Sequence, residues 1–392
     1  MSAGHLTKSE CTVSAGSQPW LVTEGPAGGV SPISLASSPV PASHGLSLVF
    51  MFPGGGAQYP AMGKDLYHSE PAFHAEIDGC AALARKYLSI DLWEALLDEN
   101  SSAEAMKRPS IALPALFAVE YALAKLWMSL GVKPDAMIGH SLGEYVAACL
   151  SGVFCLQHAI RVVGLRGVLF EKVGMGAMLS VPLPANVIKG LLGDRLSLAA
   201  VNAPNLCVVS GLCPDIDRLE AELNAMNVES QRIPLAVPAH SYLLNGVCEE
   251  FFQSLRQVPM QKPGMRFISN VTGNWISDAE ARDPGYWVCH LRNTVQFAAG
   301  MNLILRNDPQ VLLEVGPGRI LSSLAKLNMC SRLILPSMRR RGEPLGDMDV
   351  FRSSLGRLAQ SGLNTSTACP EVRGIDPVRI EAFPPARAQA RA

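Results

Sequence analysis

The 392-residue chain has little charge of either sign and no surplus of one. Charged residues make up 17%, the net charge is −1 and the isoelectric point is near 6.7. A chain without a basic excess lacks the electrostatic footprint that a phosphate backbone requires, which argues against a nucleic-acid partner. No apolar run reaches the ~18–20 residues of a membrane span, so no membrane partner is expected. The N-terminus has no compact basic-plus-apolar signal. None of the ten cysteines forms a CxxC pair. The spacings Cys149/Cys155 and Cys207/Cys213 match no common zinc pattern, and no metal site is expected. In a chain of this size without a signal peptide the cysteines read as reduced, mostly buried thiols, which points to the cytoplasm.

What is present is apolar. Hydrophobic residues make up 48% of the chain, enough to bury a sizeable core in one large domain or two to three smaller ones. Residues 1–45 are rich in Ser, Gly, Ala and Pro without periodicity and read as a flexible leader. Order is expected to begin at the strand-like run from Leu46 to Phe52, which ends in Pro53-Gly54-Gly55-Gly56. Helical patterns follow near 71–87, 90–98 and 111–130, then a short strand Ala136–Ile138 and helices from 144 and over 156–173. Between 177 and 233 the pattern changes to β-α-β-β-α-β, the order of a ferredoxin-like unit, and reads as an inserted subdomain over 176–235. The pattern then returns to helix at 241–257, strand at 266–270, helix at 295–306 and strand at 311–315. The expected fold is α/β, with a large subdomain over 46–175 and 236–340. A tail with little core is expected over 341–392.

The chemistry-bearing motif is Gly139-His140-Ser141-Leu142-Gly143-Glu144-Tyr145, between the Ala136–Ile138 strand and a helix. That context is a nucleophile elbow, with glycines at 139 and 143 leaving room for a sharp turn that exposes the Ser141 hydroxyl. The free N–H groups opening the helix point at the same spot and can stabilise an oxyanion. A serine nucleophile needs a base. His140 precedes it, and the elbow points successive side chains apart. His158 lies among apolar helix residues and His290 in Tyr286-Trp287-Val288-Cys289-His290-Leu291, where structural roles suffice. His240, in the loop Val237-Pro238-Ala239-His240-Ser241, is the best candidate, because a loop can project an imidazole into a cleft. Arg166 lies among Val163, Gly164, Leu165, Gly167 and Val168. An arginine on an apolar face needs an anionic partner, either a structural salt bridge or a substrate carboxylate held bidentately. No carboxylate completing a Ser-His-Asp triad is evident.

These residues resemble the malonyl-type acyltransferases of fatty-acid and polyketide synthesis, in particular the acyltransferase domain of modular polyketide synthases. The resemblance spans roughly 47–340 in collinear blocks. They run from Phe52-Pro53-Gly54-Gly55-Gly56-Ala57-Gln58 through Arg108-Pro109-Ser110, the elbow and Leu165-Arg166-Gly167. Val201-Asn202-Ala203-Pro204, Ala239-His240-Ser241, Ser269-Asn270-Val271-Thr272-Gly273 and Glu314-Val315-Gly316-Pro317-Gly318 complete them. The resemblance implies an α/β-hydrolase-like core with an inserted ferredoxin-like subdomain. It implies Ser141 as acylated nucleophile, His240 as base, the N–H groups of Gly55 and Leu142 as oxyanion hole, and Arg166 as holder of the substrate carboxylate. It also implies that a carbonyl near Gln296, in Asn293-Thr294-Val295-Gln296-Phe297, orients His240. The implied reaction is ping-pong transfer of a malonyl or related unit from CoA to the phosphopantetheine thiol of an acyl carrier protein. No bound cofactor is implied, and polyketide synthase modules are candidate partners.

The chain departs from the family in places. Gly55 stands where glutamine is common. The residues before His240, Val237-Pro238-Ala239, match neither the His-Ala-Phe associated with malonyl selection nor the Tyr-Ala-Ser associated with methylmalonyl. Leu142 is similar to malonyl-type enzymes, whereas the small Ala239 leaves space for an α-branch, so malonyl is the first expectation and methylmalonyl the second. A hydrolase that clears acyl groups from carrier proteins would keep Ser141 and His240 but would not need Arg166. A non-catalytic docking domain would need neither Ser141 nor His240. Asn270-Val271-Thr272 is formally a glycosylation sequon, read here as part of the strand–turn block. Val350 to Leu363 looks like the helix that follows the acyltransferase in polyketide synthases, and Arg379-Ile380-Glu381-Ala382-Phe383-Pro384 weakly resembles a linker returning over the domain. The sequence leaves open whether the chain is a discrete trans-acting enzyme or a fragment of a larger synthase, Met1 and the absence of a ketosynthase block favouring the discrete protein.

Overall fold

The computed structural model describes residues 47–98 and 103–362. The leader read over 1–45 and the linker-like stretch near 379–384 lie outside the described residues. The strands are β1 (Leu48–Phe52), β2 (Ala136–Gly139), β3 (Ala177–Val181), β4 (Leu196–Ala203), β5 (Leu206–Gly211), β6 (Gln231–Arg232), β7 (Phe267–Ile268), β8 (Val311–Glu314) and β9 (Leu333–Pro336). Two sheets result. The larger has the order β7-β2-β1-β8-β9 with every pairing parallel. All residues of β1, β2 and β8 are buried, as expected for parallel strands covered by helices on both faces.

The smaller sheet has the order β4-β5-β3-β6 and is antiparallel throughout. Helices Ala185–Leu191 and Cys213–Ala225 complete the β-α-β-β-α-β unit. Its strands are sided by their period of two. Ala177, Leu179, Val181, Cys207 and Val209 pack into a small core of their own. Met178 and Val208, with Ala199 and Ala200 of β4, turn to the main core. The unit is tied to the large body where Val201 N–H donates to Val295 O and Val295 N–H to Ala199 O, both at 2.9 Å. The α/β-hydrolase-like core with a ferredoxin-like insert, expected from the family resemblance, is borne out.

Two features differ from the sequence reading. The helix Pro109–Ser129, read as starting at 111, has the length and apolar composition of a membrane span, yet 78% of its most apolar window is buried inside the fold. The stretch after 340, read as having little core beyond a helix over Val350–Leu363, packs on the body through the helix Asp347–Gln360. Phe351 packs against Trp127 with ring centroids 4.3 Å apart, and the buried Asp347 carboxylate accepts from Tyr59 Oη at 2.9 Å and Gly63 N–H at 3.0 Å. Its apolar positions are sparse in sequence but fall on one face. Helices Lys64–Ser69, Pro284–Arg292 and Ile320–Leu327 also form where the sequence reading had none. They are short, and a short helix carries too few turns for its period to show.

Candidate active site

The C-terminal ends of β1 and β2 set the site. His140 N–H continues the ladder to Phe52 O at 2.9 Å, and the chain then turns sharply into the helix Leu142–Leu150. Ser141 sits at φ 52°, ψ −107°, a strained conformation for a residue with a side chain. The flanking glycines are required by contact. A Cβ on Gly139 would lie 2.0 Å from Glu144 N, and one on Gly143 would lie 2.0 Å from Phe52 O. The elbow read from sequence is therefore realised with its serine lifted at the helix start, where the first N–H groups have no intrahelical acceptor.

His240 also has a positive φ, 54°, in a turn closed by Ser241 Oγ donating to Pro238 O at 2.6 Å. Its Nε2 lies 2.7 Å from Ser141 Oγ, and its Nδ1 lies 3.0 Å from Asn293 O. A carbonyl can only accept, so Nδ1 carries the hydrogen and Nε2 presents a lone pair to the serine hydroxyl. Burial, then the neighbouring Arg166 charge, holds the imidazole well below the usual histidine range. His240 is consequently neutral at pH 7 and ready to take a proton. The orienting carbonyl belongs to Asn293, three positions before the expected Gln296. Gln296 instead opens the helix Phe297–Arg306, its N–H donating to Asn270 O at 2.8 Å and its carbonyl accepting from Gly300 N–H.

Arg166 reaches the same point from the helix Leu156–Val173. It is 1% exposed, and its Nη2 donates to Ser141 Oγ at 2.7 Å. No carboxylate among the described residues lies within ion-pair distance of it, and its Nε and Nη1 have no acceptor. The structural salt bridge weighed from sequence is absent among those residues. The guanidinium packs over the rings of Tyr145 and Phe170 at 5.3 and 5.2 Å. A buried cation with unused donors is costly unless an anion joins it.

The three groups open into a cavity of about 380 Å³ between the two subdomains. Gly55, Leu142, Val237 and Ala239 line it. Pro238 does not. It packs against Gly176, where a Cβ would lie 2.6 Å from the proline ring, because alternate residues of an extended segment point to opposite sides. The other histidines are placed apart. His140 Nε2 bonds Asn202 Oδ1 at 2.8 Å, and His158 pairs with Cys155 at the start of its helix. His290 is buried 3.3 Å from Glu144 without hydrogen-bond geometry.

Asn270 is a residue the sequence reading left as part of a turn block. Its Oδ1 accepts from Ser141 N–H at 2.6 Å and its Nδ2 donates to Gly139 O at 2.8 Å. Its own N–H donates to the buried Glu144 carboxylate at 2.6 Å, which Tyr286 Oη also binds. Asn270 thus clamps both sides of the elbow. With the Ser141 N–H so occupied, the Leu142 N–H is the free donor of the helix start. No periodicity or spacing marks this asparagine; its place in the Ser269-Asn270-Val271-Thr272-Gly273 block was the only signal.

A serine hydroxyl that donates to a neutral imidazole and accepts from a buried guanidinium has the geometry of a nucleophile set beside an anion-binding group. Enzymes of that class pass an acyl group through a serine ester. The chain belongs to the acyl transferase domain family, whose model matches residues 49–364. It is 36% identical over 320 residues to a phenolphthiocerol/phthiocerol polyketide synthase protein of Mycobacterium tuberculosis, an alignment covering 81% of this chain and 21% of that protein. The chain therefore spans about a fifth of the length of that relative. The solved acyl transferase domain of SpnD, in complex with 2-(pent-4-yn-1-yl)malonyl, matches with a TM-score of 0.77 at 41% identity, over 83% of this chain and 79% of that one. A type II polyketide synthase acyl-carrier protein in complex with its malonyl-transacylase, PlMCAT:AntF, gives 0.70 at 27% identity, over 79% and 99%. The likeness to acyltransferases of polyketide and malonyl-transfer type, read first from the motifs, is borne out.

Proposed function

We propose that the chain transfers a carboxylated acyl unit, malonyl or an α-substituted relative, from CoA to the phosphopantetheine thiol of an acyl carrier protein. The observation that carries this reading is Arg166, a buried guanidinium with two unused donors beside the Ser141 hydroxyl. A free carboxylate on the acyl group would accept from them and bring its thioester carbon over Ser141. Relatives of both kinds, one solved with a substituted malonyl group and one with a carrier protein, support it.

The geometry supports the following steps. His240 Nε2 takes the Ser141 proton while Oγ attacks the thioester carbon. The N–H groups of Leu142 and Gly55 are assigned to the oxyanion, a role a glycine in the loop can fill because only backbone is used. Collapse breaks the carbon–sulfur bond, and the CoA sulfur leaves with the proton from His240. The carrier thiol then gives its proton to His240 and attacks the acyl ester. Oγ departs and recovers the proton. Val237 and Ala239 are small enough to admit an α-substituent, and one methyl in such a wall is worth only about 1–3 kcal/mol of discrimination.

The test is intact-protein mass after mixing with equal malonyl-, methylmalonyl- and acetyl-CoA, with Ser141→Ala as control. A malonyl or methylmalonyl adduct absent from the variant is expected. A dominant acetyl adduct, or release of free acid with no lasting adduct, would overturn the carboxylate reading in favour of starter loading or hydrolysis.

A further inference from the structure

Two ionisable side chains lie behind the site and take no part in the steps above, Glu144 and His290. They are 0% and 1% exposed. Glu144, on the helix Leu142–Leu150, accepts from Asn270 N–H at 2.6 Å and from Tyr286 Oη. His290, on the helix Pro284–Arg292, places Nε2 3.3 Å from Glu144 Oε2. Neither of its ring nitrogens has a hydrogen-bond partner. Buried polar atoms are ordinarily paired, so an uncommitted imidazole against a carboxylate calls for an explanation. Ionisable rings surround it. Tyr145 meets it edge-on with centroids 5.1 Å apart, Tyr286 of its own helix stands at 6.4 Å, and His240 from its loop at 6.3 Å. Arg292, two positions on, donates to Asn245 Oδ1 at 2.9 Å on the neighbouring helix Asn245–Leu255. The Tyr145 ring is shared with Arg166, which packs over it at 5.3 Å.

Charge balance gives this arrangement a use. Burial lowers the Arg166 pKa while Tyr145 and Glu144 act against it, so the Glu144 charge is felt at the guanidinium although the two do not pair. With the cavity empty, one buried guanidinium is set against one buried carboxylate. A carboxylated acyl unit bound to Arg166 adds a second negative charge, which a medium of low dielectric opposes strongly. One proton taken from solvent restores the balance. His240 is badly suited to hold it, because burial and then Arg166 oppose a charge there. Its nitrogens are also committed, to Asn293 O and to Ser141 Oγ. His290 has both nitrogens free of partners and Glu144 beside it. Protonated, it would offer Glu144 a charged donor.

We infer that His290 is a positioning residue that takes up a proton from solvent when a carboxylated acyl unit binds Arg166. The proton offsets the Glu144 charge and leaves the guanidinium to the substrate carboxylate. This rests on the carboxylated substrate proposed above and adds the residue that keeps the buried site neutral.

The experiment counts protons on binding. The full chain carrying Ser141→Ala is titrated by calorimetry with malonyl-CoA and with acetyl-CoA at about pH 7, in phosphate and in Tris, whose different heats of ionisation report the protons exchanged. Acetyl-CoA controls for the CoA phosphates. Malonyl-CoA should bring about one proton with it and acetyl-CoA about none. Adding His290→Gln should abolish the uptake and weaken malonyl-CoA binding about tenfold, the equivalent of one pKa unit. Adding Glu144→Gln should also abolish the uptake but leave malonyl-CoA bound at least as tightly, since no second negative charge remains. A merely structural role would weaken binding in both variants and for both thioesters. Equal uptake with the two thioesters, uptake that survives in His290→Gln, or weaker malonyl-CoA binding in Glu144→Gln would overturn the assignment. Thermal unfolding identifies a variant that has not folded; should that be His290→Gln, uptake that survives in Glu144→Gln overturns the assignment by itself. Acetyl-CoA bound as tightly as malonyl-CoA by the Ser141→Ala chain would instead overturn the proposed function.

Discussion

Replacing Arg166 by methionine should separate substrate recognition from folding. The guanidinium is 1% exposed, and its fixed partner is Ser141 Oγ at 2.7 Å. Its Nε and Nη1 have no acceptor. Burial pulls its pKa below the usual arginine value, with Tyr145 and Glu144 opposing. Without substrate, that is a desolvated cation with incomplete compensation, and methionine of similar length fills the space without the charge. With substrate, two bonds to a carboxylate disappear. Hydrogen bonds to charged groups are worth about 1.5–3 kcal/mol each. Breaking a buried charge pair costs about 2–5 kcal/mol. A middle value of ~4 kcal/mol corresponds to a loss of about 10³ in kcat/KM. The assay is steady-state transfer to pantetheine from malonyl-CoA and from acetyl-CoA in parallel, with thermal unfolding of the same samples. Malonyl transfer should fall about 10³-fold, acetyl transfer should stay within about threefold, and the unfolding midpoint should be unchanged or higher. Equal losses on both substrates, or a clear drop in the midpoint, would refute the argument, since Arg166 would then serve the serine or the fold rather than the carboxylate.

Three further outcomes are expected. The acid limb for labelling of Ser141 by a fluorophosphonate should lie below the ordinary histidine value of 6.5, because only neutral His240 accepts the proton and both burial and Arg166 disfavour its charged form. In Arg166→Met that limb should move up toward 6.5, and an unmoved limb would mean that the guanidinium does not act on the imidazole. Asn270→Ala leaves the buried Ser141 N–H and Gly139 O without partners, at about 1–3 kcal/mol for such a loss. It should lower kcat about 10- to 100-fold with KM for acyl-CoA little changed, whereas a rise in KM alone would count against a clamp on the nucleophile. Glu120 is fully buried, its oxygens have no partner, and burial, then Glu314, raises its pKa well above the usual carboxylate value of 4.5. The folded chain therefore keeps a proton that the unfolded chain releases above about pH 4.5, so stability is lost as pH rises through that window. Glu120→Gln should gain in unfolding midpoint over wild type as pH rises above about 4.5, and a gap independent of pH would contradict the assignment.

What the chain determined by itself lies in local patterns. Gly139 and Gly143 around Ser141 announce a turn that only residues without Cβ can make, and the contacts at 2.0 Å state why. The apolar runs of β1, β2 and β8 announce strands buried on both faces, and the alternation over 177–233 announces the small antiparallel unit. Ser141, His240 and Arg166 were readable because each carries a residue type whose chemistry demands a partner. Which partner each found was decided only by tertiary structure. His240 meets a carbonyl 53 positions away, at Asn293, within the expected block but not at Gln296 itself, and Ser141 meets Asn270 across 129 positions. The register of Val237-Pro238-Ala239, which turns Pro238 onto Gly176 and its neighbours into the cavity, depends on the approach of the small subdomain. Backbone carbonyls and amides are the same in every residue, so no sequence pattern marks the one that will orient a histidine. Only the packing of distant segments brings it within 3.0 Å.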